Sequence, residues 1–198
     1  MEHITDLADD ARIGTGSLRR RAQLLHQRSD LQMLEVRGNV ETRLKKLDAG
    51  EYDALCLAEA GMVRLELLEQ RASLLLQPPE VYPAVGQGAL GIECRADDEE
   101  TAALLAGLSD PSTQAATTAE RSLLAHLRAG CHAPIGSLSQ TTVDQLTLEA
   151  VVLSADGVER ICASVTGSLT EAADIGVKVA KALLADGAGR LITGTEES

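Results

Sequence analysis

Two arginine-bearing motifs decide how this sequence is interpreted: Gly14-Thr15-Gly16-Ser17-Leu18-Arg19-Arg20-Arg21 and Arg37-Gly38-Asn39-Val40-Glu41-Thr42-Arg43. Each motif begins where a short apolar run ends, turns at glycine and then continues into a predicted helix. In the first motif, Ser17 is the residue type that caps a helix N-terminus. The pattern therefore predicts two strand–turn–helix units with arginine placed just after their turns.

The arginines of these motifs contrast with the charge of the whole chain. Residues 12–64 contain ten Lys and Arg against seven Asp and Glu, a local charge of +3. The 198-residue chain carries −12, which leaves −15 outside that window. A guanidinium group is a planar fork that matches carboxylate or phosphate and stays charged when partly buried. We favour an anion site over the alternative, in which these arginines are solvated on helix faces.

Strands alternate with helices through the first 82 residues. We interpret residues 1–10 as a frayed lead-in. The pattern predicts strands beginning at Arg12 and over 31–36 and 54–58, and helices over 17–28, 40–47 and 62–70. This alternation indicates a parallel sheet, in which ligands bind beyond the carboxyl ends of the strands. The arginines that fall near those ends are Arg19, Arg20, Arg37, Arg43 and Arg64.

The pattern changes in the second half of the chain. Residues 83–95 are glycine-rich and then strand-like, and a phosphate loop is the competing interpretation, although no Gly-Lys-Ser/Thr follows. Two helices are predicted to follow, and the second opens with Asp110 as its N-cap and Pro111 at its first position. The remaining segments are predicted as a strand at 146–154, a hairpin turn at Asp156-Gly157, a strand at 158–165 and a helix at 170–185. We therefore predict an α+β unit and place a domain change near residue 108.

The composition excludes several classes of function. With two Tyr, no Phe and no Trp, the chain lacks aromatic platforms for base stacking, and its charge is negative, which argues against nucleic acid as a partner. No apolar run is long enough to span a bilayer. The four cysteines are widely separated and show no metal-ligand spacing, so we expect free thiols, no metal and a cytoplasmic location.

One cysteine differs from the other three. Cys56, Cys94 and Cys162 lie in apolar, strand-like runs and are predicted to be inert core thiols. Cys131 follows a glycine at a predicted helix end and stands three residues before a proline, so we expect an exposed loop thiol able to carry a tethered group. A nucleophilic pair with His132 is disfavoured, because adjacent side chains rarely point at each other.

Together these features resemble the porphobilinogen deaminase family, also called hydroxymethylbilane synthase. The matching motifs occur in the family's order and cover nearly the whole chain from residue 13. They are Gly14 to Arg20, Leu34 to Leu44, Tyr52-Asp53-Ala54, Leu57 to Gly61, Arg64-Leu65, Pro83 to Gly88, Ala119-Glu120-Arg121, Gly130-Cys131 and Pro134-Ile135-Gly136.

The resemblance implies a fold and a division of the chain. The fold is α/β followed by α+β: a periplasmic-binding-protein-like parallel-sheet domain, then a small antiparallel-sheet domain with helices on one face. The implied parts are an arginine-rich domain at 12–82, a segment at 83–108 that returns to a further domain, and a cofactor-carrying domain at 109–198. The family's amino-terminal domain, with its catalytic aspartate, is expected to be absent from this sequence, so no catalytic residue is assigned.

The resemblance also implies a reaction in tetrapyrrole and haem biosynthesis. Four porphobilinogen molecules are deaminated and condensed head to tail into hydroxymethylbilane, a transferase reaction on a dipyrromethane cofactor. Cys131 resembles the cysteine that carries this cofactor through a thioether. The remaining implied cofactor contacts are Ser17, Arg19, Arg20, Arg37 and Gly38, and the implied substrate contacts are Arg43 and Arg64. These groups suit the carboxylates of porphobilinogen and the growing pyrrole chain.

Three hypotheses remain open from the sequence. The first is a shortened porphobilinogen deaminase, impaired on its own because the acid–base carboxylate is absent. The second is a non-catalytic binding module for a small polycarboxylate. The third is a structural remnant held by partner chains. Surface left by an absent domain would favour self-association.

Overall fold

The computed structural model describes residues 3–130 and 133–193, in which the chain forms two three-stranded sheets. The first sheet is parallel, has the order β2-β1-β3 and consists of β1 (Arg12–Gly14), β2 (Gln32–Leu34) and β3 (Ala54–Leu55). The second is antiparallel, has the order β4-β5-β6 and consists of β4 (Ile135–Thr141), β5 (Gln145–Leu153) and β6 (Arg160–Ser168). The predicted succession of a parallel sheet and an antiparallel sheet is confirmed.

A helix follows each strand of the parallel sheet. They are α1 (Leu18–Gln27), α2 (Val40–Asp48) and α3 (Glu59–Arg64). The first two begin where the sequence supplies a cap: Ser17 Oγ accepts the Arg20 N–H (3.4 Å), and Asn39 Oδ1 accepts the Thr42 N–H (2.8 Å). The buried core beneath these elements is aliphatic and includes Ile4, Ala11, Ile13, Leu24, Leu31 and Val81.

The antiparallel sheet is covered on one face by helices. The helices of this half are α4 (Glu99–Ala106), α5 (Pro111–Leu127), α6 (Ala172–Ala185) and α7 (Ala188–Thr193). Asp110 caps α5 and Pro111 occupies its first position, as the sequence predicted. Residues of α5, α6 and α7 pack with the inward face of β5 in one aliphatic core. At Gly176 a Cβ would lie 2.2 Å from the Ala119 carbonyl oxygen, so only glycine permits this α5–α6 contact.

The opposite face of the antiparallel sheet contacts the first half of the chain. Ala22 of α1 forms a buried cluster with Val151 and Leu153 of β5 and with Tyr82, which lies in the segment before Pro83. The β5–β6 turn reaches the same helix at Gly157, which has a φ of +76°; a Cβ there would lie 2.6 Å from the Ala22 carbonyl oxygen. This junction places α1 between the parallel sheet and the antiparallel sheet.

Several sequence-based predictions about individual segments were wrong. Residues 83–98 contain no strand: residues 90–97 are exposed, and no neighbouring strand pairs with them. The helix predicted at 62–70 is instead α3, which stops before Glu66 adopts a φ of +54°. The lead-in is not frayed over residues 3–10, because Ile4 is buried in the core. Both β4 and α7 were missed.

Candidate functional site

The loops that follow the three parallel strands meet at one edge of the sheet. The Thr15 N–H donates to the Leu34 carbonyl (2.9 Å), and the Cys56 N–H donates to the Gly14 carbonyl (3.0 Å). These bonds bring the chain after β1 against the ends of β2 and β3. The carboxyl edge of the sheet, where α/β proteins bind ligands, therefore carries the first predicted motif.

Arg19 is a buried cation at this edge. Arg19 is only 8% exposed, and its guanidinium donates to the Tyr82 carbonyl and to Gln87 Oε1 (3.3 Å). Burial, followed by the nearby charge of Arg20, lowers the pKa of Arg19 to about 10, so it stays protonated at neutral pH. Its two protein partners are neutral, and the charge is left for another anion to compensate.

Arg20 lies beside Arg19 and lines the same groove. Its guanidinium donates to the Cys56 carbonyl (3.2 Å). The groove has a volume of about 940 Å³, and most of its lining is aliphatic. Across the described ranges 3–130 and 133–193, no Asp or Glu forms an ion pair with Arg19 or Arg20. Two guanidinium groups without a carboxylate of their own, in a largely apolar groove, form an arrangement suited to an organic anion.

The helix that carries this pair adds to the positive potential. The first turn of α1 contains no acidic residue, and Ser17 satisfies only the amide of Arg20. The remaining first-turn amides and the helix dipole both favour an anion at this end. Ser17 thus lies at the predicted place, with its hydroxyl engaged as the cap.

A second group of predicted residues surrounds the turn after β2. Gly38 has a φ of +114°, and the Arg43 Nε–H donates to its carbonyl (2.8 Å). The exposed Arg37 guanidinium instead donates to Glu35 Oε1 (2.7 Å). Arg43 is half-buried and has no acidic partner in the described chain, so of this group it retains the most capacity for an anion.

Within the described chain, Arg64 forms no hydrogen bond or ion pair with either group. It is the last residue of α3 and is exposed. The structure therefore brings Arg19 and Arg20 together, joins Gly38 to Arg43, and leaves Arg37 and Arg64 at the surface. Only two carboxylates in the described chain line the groove: Asp53, which bonds to Arg12, and the exposed Glu59.

Cys131, the predicted cofactor cysteine, and His132 lie outside the described residues. Their described neighbours place them between α5, whose C-cap Arg128 has a φ of +51°, and β4, which begins at Ile135. The Ala133 N–H donates to the Gly130 carbonyl (3.1 Å). The expectation that Cys131 carries a covalent group stays a prediction.

The prediction of three core thiols was wrong for two of them. Cys94 and Cys162 are exposed: Cys94 lies in the unpaired segment after Gly91, and Cys162 is on an outward position of β6. Cys56 is partly buried in the groove, and burial raises the pKa of its thiol. Within the part of the chain that the structure describes, no three His, Cys, Asp or Glu side chains are grouped to hold a metal ion. No helix in that part is long and apolar enough to cross a membrane.

Three residues that surround Arg19 were not predicted from the sequence. Gln87 accepts from its guanidinium, Tyr82 accepts through its carbonyl, and the buried Gln23 side chain bonds to the Tyr82 peptide group. A glutamine between Ala22 and Leu24 on the apolar face of α1 was the available signal, because a polar side chain at a core position needs partners. One of only two tyrosines in the chain was another.

The fold and the site define a class of protein. It is an α/β protein whose parallel sheet presents, at the carboxyl edge, two arginines that form no ion pair within the described ranges, and an antiparallel α+β unit follows.

Comparison with known proteins assigns the family. Residues 1–103 match the family model described as "Porphobilinogen deaminase, dipyromethane cofactor binding domain", and residues 114–185 match "Porphobilinogen deaminase, C-terminal domain". Porphobilinogen deaminase of Acidothermus cellulolyticus is 45% identical to the chain over 199 residues, which cover 98% of this chain and 60% of that protein. The chain belongs to the porphobilinogen deaminase family, as its motifs predicted. The comparisons give no support to the alternative of a non-catalytic binding module for a small polycarboxylate.

Proposed function

We propose that the chain supplies the arginine site and the cofactor-carrying unit of a hydroxymethylbilane synthase. This transferase converts four porphobilinogen molecules, with loss of ammonia, into the linear tetrapyrrole of haem biosynthesis. The observation that carries the proposal is the pair of guanidinium groups, Arg19 and Arg20, that face a groove without acidic partners in the described residues. Family membership supports the same activity.

The dipyrromethane cofactor fits the donors that this groove provides. Each pyrrole unit carries carboxylates, and the groove combines aliphatic walls with cationic donors. Arg19 and Arg20 would hold carboxylates of the cofactor, with Ser17, Arg37 and Gly38 at the neighbouring turns, while Arg43 and Arg64 would receive substrate. When bound, the cofactor supplies the pyrrole end to which porphobilinogen is added. Cys131 would tether it covalently.

The protein residues contribute binding and orientation. A charge-assisted hydrogen bond contributes about 1.5–3 kcal/mol, and a site that excludes water makes each one more specific. Arg19 is held by neutral groups, so its charge needs no separation from an internal carboxylate before an anion binds. No catalytic acid or base is assigned to this chain.

Intact-mass spectrometry of the purified chain tests the attachment site. We expect an adduct with the mass of a dipyrromethane on the wild-type chain and its absence from Cys131→Ser. Cys162→Ser is the matched control, because it removes an exposed thiol from β6 and should leave the adduct in place. A bare wild-type chain, or an adduct that survives Cys131→Ser, would contradict the proposal.

We expect the 198-residue chain alone to form tetrapyrrole slowly. Two carboxylates of the described chain line the groove: Asp53 is bonded to Arg12, and Glu59 is exposed to solvent. General acid–base catalysis contributes roughly 10²- to 10⁴-fold to rate, so we predict a deficit of that order against the Acidothermus relative assayed in parallel. Equal rates for the two proteins would refute this prediction.

The finer features of the fold and its partners stay proposals. A change of unit near residue 109 is supported by α5 beginning at Pro111, and the parallel sheet is compatible with a periplasmic-binding-protein-like domain at 12–82. The segment 83–108 exposes apolar side chains at Leu90, Ile92, Leu104 and Leu108. Such a surface supports self-association. The cytoplasmic location and the absence of a nucleic-acid partner stay predictions from composition.

A further inference from the structure

Gln23 and the Tyr82 main chain form a buried, hydrogen-bonded pair next to Arg19. Gln23 lies one helical turn after Arg19 on α1 and is 3% exposed. Its Oε1 accepts the Tyr82 N–H (2.6 Å), and its Nε2 donates to the Tyr82 carbonyl (3.1 Å) and to the Arg19 carbonyl (3.2 Å). One amide side chain therefore satisfies both polar groups of the Tyr82 residue's main chain.

The same Tyr82 carbonyl also accepts from the Arg19 guanidinium. The oxygen has two lone pairs, and the geometry gives one donor from Gln23 and one from Arg19. Gln87 Oε1 accepts from the other end of the guanidinium. With two of its nitrogens engaged by groups from outside α1, the Arg19 fork has a fixed position in the groove.

Tyr82 extends this arrangement into the second half of the chain. Its hydroxyl donates to the Glu149 carboxylate on β5, and the Arg160 guanidinium lies 5.8 Å from the centre of its ring. Burial, and then the bond to Glu149, raises the pKa of Tyr82 to about 12, so the hydroxyl keeps its proton at neutral pH. Tyr82 is also packed closely against β4, since a Cβ at Gly136 would lie 2.5 Å from the Tyr82 Cβ.

We propose that Gln23 and Tyr82 are positioning residues for Arg19, and that the Tyr82–Glu149 bond links the position of this guanidinium to the antiparallel sheet. The inference uses the proposed function only in treating Arg19 as a carboxylate-binding group. Both residues act on Arg19 through the Tyr82 carbonyl, which accepts from the Gln23 amide and from the Arg19 guanidinium. A change in the antiparallel sheet that moves Glu149 is thereby transmitted to the anion site.

The chain offers a matched control for each residue. Gln27 is on the same helix, one turn beyond Gln23, and its amide donates to the Glu80 carbonyl (2.7 Å), so it bonds to the same segment without contacting Arg19. Tyr52 is the other tyrosine, and its hydroxyl donates to the Glu35 carbonyl (3.0 Å). Gln27→Leu and Tyr52→Phe thus each remove a side-chain hydrogen bond to a main-chain carbonyl, and neither bond involves Arg19 or Tyr82.

The test measures hydrogen exchange of the Arg19 guanidinium by NMR on arginine-labelled chain, with Arg19→Lys to assign the signal. We expect exchange to accelerate at least tenfold in Gln23→Leu and about threefold in Tyr82→Phe and Glu149→Gln, with no change in Gln27→Leu or Tyr52→Phe. Circular dichroism verifies that each variant is folded. If Gln23→Leu does not fold, the two milder variants decide the result.

Citrate affinity, measured by calorimetry, provides the second readout. We expect at least fivefold weaker binding in Gln23→Leu and less than twofold change in Gln27→Leu. If the wild-type chain does not bind citrate, the proposed function loses its support, while the exchange measurement still decides the positioning role. Equal Arg19 exchange in folded Gln23→Leu and Gln27→Leu would overturn the positioning role of Gln23. Exchange at the wild-type rate in both Tyr82→Phe and Glu149→Gln would overturn the link to the antiparallel sheet.

Discussion

Single residues at the carboxyl edge determine what the site can bind. Arg12 and Arg28 form close ion pairs with Asp53 and Asp30, so their charges are already compensated. Arg19 and Arg20 bond only to neutral acceptors within the described residues. Paired arginines stabilise the fold locally, whereas an unpaired one beside an apolar wall favours an incoming anion. The distinction depends on partners, and composition alone does not reveal them.

The Arg12–Asp53 pair gives a prediction about acid stability. Arg12 donates to both carboxylate oxygens (3.1 and 2.8 Å), and these bonds lower the pKa of Asp53 to about 2, from an ordinary value of about 3.9. A pKa lowered by folding stabilises the protein above pH 4, and the contribution is lost as the pH falls toward 2. We expect the difference in melting temperature between wild type and Asp53→Asn to shrink from pH 5 to pH 2.5.

The control for that measurement is Asp97→Asn, at an exposed carboxylate in the segment before α4. The difference in melting temperature between Asp97→Asn and wild type should stay constant from pH 5 to pH 2.5. A wild-type advantage over Asp53→Asn that grows in acid would show that the pair does not stabilise the fold in this way.

At the scale of elements, the contact between α1 and the β5–β6 turn fixes how the two sheets approach. Gly157 and Gly50 have nearly the same φ, +76° and +75°, but a Cβ at Gly157 would lie 2.6 Å from the Ala22 oxygen, whereas nothing lies within 4 Å of one at Gly50. Alanine at either site should cost about 1 kcal/mol for its left-handed backbone.

Overpacking adds about 1–3 kcal/mol at Gly157 alone. We therefore expect urea denaturation to give a clearly lower free energy of unfolding for Gly157→Ala than for Gly50→Ala. Equal losses in the two variants would mean that the turn moves away from α1 at no cost, and the described junction would not be a fixed contact.

Elements whose signals are local were predictable from the sequence. Ser17 and Asp110 cap α1 and α5 as expected, and both cap bonds lie within three residues. The β5–β6 hairpin was predictable from Asp156-Gly157 for the same reason. The strand predicted near residue 90 failed because a strand requires a partner, and the described chain offers none there.

Parts of the site were unpredictable because they join distant positions. Gln23 and Tyr82 are 59 residues apart, and the Tyr82–Glu149 bond spans 67 residues. The sequence identified Arg19 and Arg20 through their motif but gave no partners for them. It also grouped Arg37 and Arg64 with this pair, whereas the structure leaves both at the surface.

For the whole molecule, the parallel sheet and the antiparallel sheet have separate tasks in the proposed enzyme. The parallel sheet presents Arg19 and Arg20, which form no ion pair within the described residues, and the antiparallel sheet begins with β4, shortly after the cysteine proposed to carry the cofactor. The junction through Tyr82 and Gly157 joins the two. The family match extends over both sheets.

The central claim is that guanidinium groups at the carboxyl edge of the parallel sheet hold carboxylates. Titration calorimetry with citrate tests it most directly, on the wild-type chain, Arg20→Gln and the exposed neighbour Arg21→Gln. Loss of a charge-assisted hydrogen bond, about 1.5–3 kcal/mol, predicts binding roughly 10- to 100-fold weaker for Arg20→Gln. Arg21→Gln should bind within twofold of wild type at 0.15 M salt, where exposed charges are screened. Equal affinity in all three proteins would contradict the claim.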